Sequence, residues 1–217
     1  KTEIAFLNSM IDLKKNFFNI NLINYDDQIE GVIKKQMKFI SETEEEFEHL
    51  QKCLLNYEHN NVEQFIISNI KTEIGKKKYK DVRKISIGIS KKDMITNRTR
   101  KKGAFYNCFV LIIRVKENKI FKEYHVKIFN TGKIELPGIQ NNVSFEKIKM
   151  KILEILNNGN TKLDYIDKTL NNLEKNESIL INSNFDCNFY LDRNILFNIL
   201  KYDYGLNTIY DPCTYPG

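Results

Sequence analysis

The side chains with the greatest capacity for chemistry are cations. Lys91, Lys92, Arg98, Arg100, Lys101 and Lys102 fall within twelve consecutive positions and run into Gly103. Ammonium and guanidinium groups at that density neutralise phosphates, and they catalyse nothing by themselves. The other reactive groups are scattered. Cys53, Cys108, Cys187 and Cys213 form no C-x-x-C pair, and His49, His59 and His125 stand far from metal-ligand spacing. There is no Gly-rich phosphate loop, no acid paired with a histidine and no nucleophile motif. The expectation is a non-enzyme with no metal and no cofactor, its thiols reduced inside a cell.

The charge map sharpens this. The chain has 217 residues and a formal net charge of +6. Residues 1–80 hold 12 basic and 13 acidic groups, residues 81–140 hold 14 and 5, and residues 141–217 hold 8 and 10. The middle third therefore carries +9 (14 minus 5) while its flanks are slightly acidic. A local excess of this kind suits a polyanion, and a solvated lysine-rich surface is the bland alternative. The 29 lysines against 5 arginines, with 27 asparagines and 30 isoleucines, point to an A/T-rich genome, so asparagine runs carry little meaning. No apolar run reaches the roughly 18 residues of a membrane span, and Lys1–Met10 does not read as a secretory signal. The chain is expected to be intracellular.

Three regions must position these groups. Residues 1–80 read as a mostly helical extension. Ile4, Leu7, Met10 and Ile11 recur at helical spacing, Ser41-Glu42-Thr43-Glu44 opens a helix with an acidic first turn, and Val62, Phe65, Ile66 and Ile70 form another amphipathic segment. From residue 81 to 160 the texture is that of strands. Ile85, Ile87 and Ile89 alternate with small residues, Phe105–Val115 is rich in β-branched and aromatic residues, and Tyr124–Phe129 leads through the turn Asn130-Thr131-Gly132-Lys133 to Ile134–Leu136. A helix follows, with Ser144 as its N-cap and Phe145, Ile148, Ile152, Ile155 and Leu156 as its buried stripe. Residues 161–217 read as a connector, a strand start at Ser178–Ile181 and a helix capped by Asp192 and ended by Gly205. The fold class is α+β, with an antiparallel sheet.

Two stretches are more specific. Val126-Lys127-Ile128-Phe129-Asn130-Thr131-Gly132-Lys133-Ile134-Glu135-Leu136-Pro137-Gly138 resembles the third-to-fourth-strand hairpin of TATA-binding proteins. Tyr210-Asp211-Pro212-Cys213-Thr214-Tyr215-Pro216-Gly217 resembles the loop and strand entry of that family's second repeat, and Ile181–Phe185 is similar to the second repeat's opening strand in large nucleocytoplasmic DNA viruses. The resemblance covers about 83–217. It implies a saddle: two repeats forming one curved antiparallel sheet, helices on the convex side, and the other side seated on the widened minor groove of A/T-rich DNA. Such proteins read groove width and deformability, and wedge phenylalanines between base steps. Residues 81–160 are then a first repeat opening at Ile85–Ile89. Residues 161–217 hold a connector and the first half of a second. Completing it needs three more strands, about 40 residues with their turns, so the chain is expected to be a fragment.

Carried over residue by residue, the resemblance makes Phe129 a kinking wedge, Tyr215 its second-repeat counterpart, Lys133 a turn lysine near phosphate and Arg114 a basic residue of the second strand. Counting back from Arg114 reaches Cys108, with Phe109 one residue off as the first repeat's other wedge. If Tyr124, Val126 and Ile128 face the helices, then His125, Lys127 and Phe129 face the groove. Asp211 would meet a TFIIB-like factor, and RNA polymerase is the further partner implied. Glu135 and Pro137 stand where the family has valine and threonine, Lys127 where it has an apolar residue, and Cys213 and Thr214 replace its acidic and leucine positions. A carboxylate facing phosphate is costly unless paired, and Lys127 lies across the hairpin from Glu135. The expected function is a viral transcription initiation factor binding double-stranded DNA. The rivals are a repurposed saddle acting as a protein-interaction scaffold, and nonspecific binding through charge alone.

Overall fold

A computed structural model describes residues 1–71, 79–95, 106–157, 163–166, 178–180 and 188–210. It contains two compact units, Lys1–Ile181 and Asn182–Gly217. The first is built on one eight-stranded sheet with the order β3-β4-β2-β5-β6-β7-β1-β8. The strands are β1 (Thr2–Phe6), β2 (Gly31–Ser41), β3 (Val62–Lys71), β4 (Tyr79–Gly88), β5 (Cys108–Glu117), β6 (Ile120–Phe129), β7 (Lys133–Pro137) and β8 (Ser178–Leu180). The helices are α1 (Leu13–Asn19), α2 (Glu44–Leu55), α3 (Lys91–Ile95) and α4 (Asn142–Leu156). Every strand pairing is antiparallel.

Alternation within the strands sets two faces. Phe109, Leu111, Ile113 and Val115 of β5, Val126 and Ile128 of β6, and Ile134 and Leu136 of β7 are buried on one face. They share a single core with Phe17 of α1, Leu50 and Leu54 of α2, and Phe145, Ile148, Ile152 and Leu156 of α4. The intervening residues line the opposite face. Among the described residues, that open face carries one helix, the short α3.

The β5–β6–β7–α4 run follows its sequence pattern. Asn118 and Lys119 both take positive φ (48° and 69°), the conformation of a tight hairpin turn. At the next hairpin Gly132 has φ 82°, and a Cβ there would lie 2.6 Å from the Ser9 carbonyl oxygen, so only glycine fits. The α4 cap is Asn141, whose side chain accepts from the Ser144 N–H at 2.8 Å. Ser144, expected as the cap, is itself inside the first turn and buried.

Residues 1–80 differ from the helical extension expected. Their described residues hold two helices, but they also supply β1, β2 and β3 to the sheet. Each strand hides its period for a physical reason. β1 lies between β7 and β8, so Glu3, Ile4 and Ala5 are all buried and no alternation shows. β3 has a bulge between Ile66 and Ser68, which shifts its apolar residues to a spacing that imitates a helix. β2 has a bulge between Val32 and Lys34. Nor is residue 80 a boundary in the sheet, because β2 is sandwiched between β4 and β5.

The strand at Ile85–Ile89 is also not an opening strand. It is the end of β4, paired to β2 and β3. Instead β1 is the neighbour of β8, antiparallel to it. β1 leads to a helix capped by Asp12, which accepts from the Lys15 N–H at 3.0 Å. β8 is followed along the chain by α5 (Arg193–Asn198), capped by Asp192, which accepts from the Asn194 N–H at 2.9 Å. The strand-then-Asp-capped-helix order therefore occurs twice. In the second unit α5 passes into a π-helical turn at Ile199–Asp203, and Gly205 follows with φ 64°.

Candidate nucleic-acid interface

The open face is a mixed apolar and basic surface whose rows follow from the strand registers. Ile4 of β1 stands beside Glu135 of β7, which stands beside Lys127 of β6, beside Val110 of β5, beside Gln36 of β2, beside Ser86 of β4. On one side of this row Phe6 pairs with Lys133, and Cys108 with Phe129. On the other side Thr2 pairs with Pro137, His125 with Ile112, and Ile112 with Lys34.

Phe129, Lys127 and His125 all lie on this face, as their alternation with the buried Val126 and Ile128 requires. Glu135 lies there too, bridged by Lys127 at 3.2 Å and Lys133 at 2.7 Å. Burial alone would raise its carboxyl, but the hydrogen bonds from Lys133 and Lys127 outweigh that and hold it below the usual carboxylate range. One carboxylate shared by two ammonium groups leaves the trio at net +1. The Lys133 Nζ also lies 5.3 Å from the Phe129 ring centroid, within cation–π range.

His125 reaches solvent, yet packing against the sheet and then the charges of Lys127, Lys92 and Lys84 lower its pKa to about 4. It is therefore neutral at physiological pH. It can accept or donate one hydrogen bond but adds no charge.

Two expected contacts are structural instead. Phe109 is fully buried in the core, because β5 turns its odd residues toward the helices. Cys108 holds the open-face position beside Phe129; its thiol is nearly buried, and burial raises its pKa. Arg114 is 6% exposed and is spent on the loop before β2. It donates to the carbonyls of Asp27 and Tyr25, each at 2.7 Å, and its guanidinium lies 4.6 Å from the Tyr25 ring centroid. Lys91 and Lys92 are exposed on α3. Arg98, Arg100, Lys101, Lys102, Asp211 and Tyr215 lie outside the described residues.

The structure adds groups that sequence reasoning missed. Lys34, Gln36 and Lys38 of β2 share the open face with Lys84 and Ser86 of β4, and the Gln36 amide donates to the Ser86 hydroxyl at 3.0 Å. The signal was present as polar residues at 34, 36 and 38 set against Met37 and Phe39. Among the described residues no group of three or more His, Cys, Asp or Glu side chains could hold a metal ion, and no helix is long and apolar enough to cross a membrane.

The face mixes apolar Ile4, Val110 and Phe129 with the charged and polar Lys127, Glu135 and Gln36. Over 135 residues the chain is 28% identical to the "TATA-box-binding protein-like" protein of Acanthamoeba polyphaga mimivirus. The match covers 55% of this chain and 37% of that protein, so the chain spans well under half of its relative's length. No protein-family profile matches the chain. No solved structure matches it.

Proposed function

We propose that this chain is part of a viral transcription initiation factor that binds duplex DNA through the open face of its sheet. The observation that carries the reading is the arrangement around Phe129. An aromatic ring stands on the open face beside Cys108 and under the Lys133 ammonium, and the one carboxylate near it is neutralised by Lys127 and Lys133. Insertion of such a ring between base steps bends DNA, and the surrounding lysines offset phosphate charge. A saddle completed by a second repeat would present the same elements twice. Recruitment of a TFIIB-like factor near Asp211 and of RNA polymerase, in a cytoplasmic viral factory or the host nucleus, belongs to the same proposal. So does the absence of catalysis.

A second reading follows from Glu135 and Pro137. They put a carboxylate network and a rigid ring on the groove side, which suits a protein partner as well as DNA. Binding to A/T-rich and G/C-rich duplexes across a salt series, with Phe129→Ala alongside, separates the readings. The expected result is an A/T preference that Phe129→Ala weakens at least fivefold, about 1 kcal/mol. A steep salt slope without preference means binding by charge alone. No binding near physiological salt leaves the scaffold.

A further inference from the structure

β4 and β5 run parallel to each other on either side of β2. The segment just after β4, with α3, lies on the open face. The backbone N–H of Lys91 donates to the Glu123 carboxylate of β6 at 3.0 Å. Lys92 is close enough to His125 to depress its pKa. Asp93 reaches Lys34 of β2, Nζ to Oδ2 at 2.8 Å.

The last contact is unlike the rest. The Ser90 N–H and hydroxyl donate to Asp93 Oδ2 at 2.8 and 2.6 Å, which is one half of a capping box. A capping box does not require Lys34. Yet the Lys34 side chain is only 6% exposed and ends on that same oxygen. Lys84 of β4 faces Lys38 across the ladder, four residues along β2 from Lys34, and its ammonium is disfavoured by burial and then by the Lys34 charge. A buried lysine of β2 thus ends on a carboxylate of α3, on a face that otherwise suits a polyanion.

We infer that Lys34 forms a phosphate subsite on the open face, and that the Asp93 carboxylate occupies it until a nucleic-acid phosphodiester takes its place. α3 is then an internal competitor, held by its cap and by Glu123, and DNA must displace it to seat fully. The inference rests on the DNA-binding reading. It deepens that reading by naming a subsite on β2 and a self-masking contact.

The test is fluorescence anisotropy of a labelled A/T-rich duplex over a salt series with wild-type chain, Asp93→Asn, Lys34→Gln and the double variant. Asparagine keeps an oxygen for the Ser90 cap but loses the charge. Asp93→Asn is expected to tighten binding about tenfold, and to steepen the logarithmic salt slope by about one as one more counterion is released. Lys34→Gln is expected to cancel that gain in the double variant. Unchanged or weaker binding by Asp93→Asn, with wild-type binding intact, overturns the subsite and leaves the DNA reading standing. No binding by any form overturns both. Hydrogen exchange on the wild-type chain gives a check free of variants: the Ser90 amide, bonded to Asp93, should lose protection when duplex is added. Retained protection in the bound complex overturns the inference.

Discussion

Lys35 is fully buried on the core side of β2, among residues that have no charge to offer it. Its ammonium donates to the carbonyls of Phe17 and Ile20 at 2.7 Å each and to the Tyr57 hydroxyl at 2.9 Å, so its three protons have three acceptors. The two carbonyls lie at the C-terminal end of α1, where a cation is favoured. Burial nonetheless lowers its pKa to about 7 from the ordinary 10.5. The sign follows from linkage. Between pH 7 and 10.5 the unfolded chain binds the extra proton, so stability rises with pH across that window. Relative to Lys35→Met, the wild-type chain should gain about 2 kcal/mol between pH 7 and pH 9 in urea unfolding. A parallel pH dependence in the two proteins would refute this.

At the scale of elements, Gly132 shows how tightly one turn is specified. Its positive φ and the nearby Ser9 carbonyl leave no room for a side chain. Gly132→Ala should cost about 1–3 kcal/mol and lower the thermal midpoint measured by circular dichroism. This hairpin was legible in the sequence because every local signal agrees: alternating strands, a glycine turn and an amphipathic helix after it. The face of Phe129 and the pairing of Lys127 with Glu135 were legible for the same reason, since period-two geometry leaves one choice. β1, β2 and β3 were not. Their local patterns are overwritten by central burial in β1 and by bulges in β2 and β3, features that tertiary structure decides. The count back from Arg114 ends on Cys108, which does hold the open-face position, and Phe109 is on the core face because one residue reverses the face of a strand. Arg114 is on the open face but is taken by the carbonyls of Tyr25 and Asp27, a tertiary contact that no local pattern announces.

For the whole molecule the charge is lopsided. Residues 81–140 carry +9 and residues 141–217 carry −2 (8 minus 10). Lys34, Lys38 and Lys84 add to the same side of the sheet, away from β8. DNA affinity should follow that asymmetry. Replacing Lys91, Lys92, Arg98, Arg100, Lys101 and Lys102 with glutamine should weaken duplex binding more than removing any equal number of cations after residue 141. A flattened salt slope in the first set is the readout. Equal losses in the two sets would mean that both halves share the contact.

β1 also has a consequence in time. Thr2 pairs with Pro137, 135 positions later in the chain (137 minus 2). At about 5–20 residues per second, a ribosome takes roughly 7–27 seconds to make that interval. During that wait a buried, apolar strand has no ladder to join, and β8 comes later still. Nascent chains of this protein should therefore depend on chaperones until β7 emerges, and β1 should be among the last strands to gain protection on refolding.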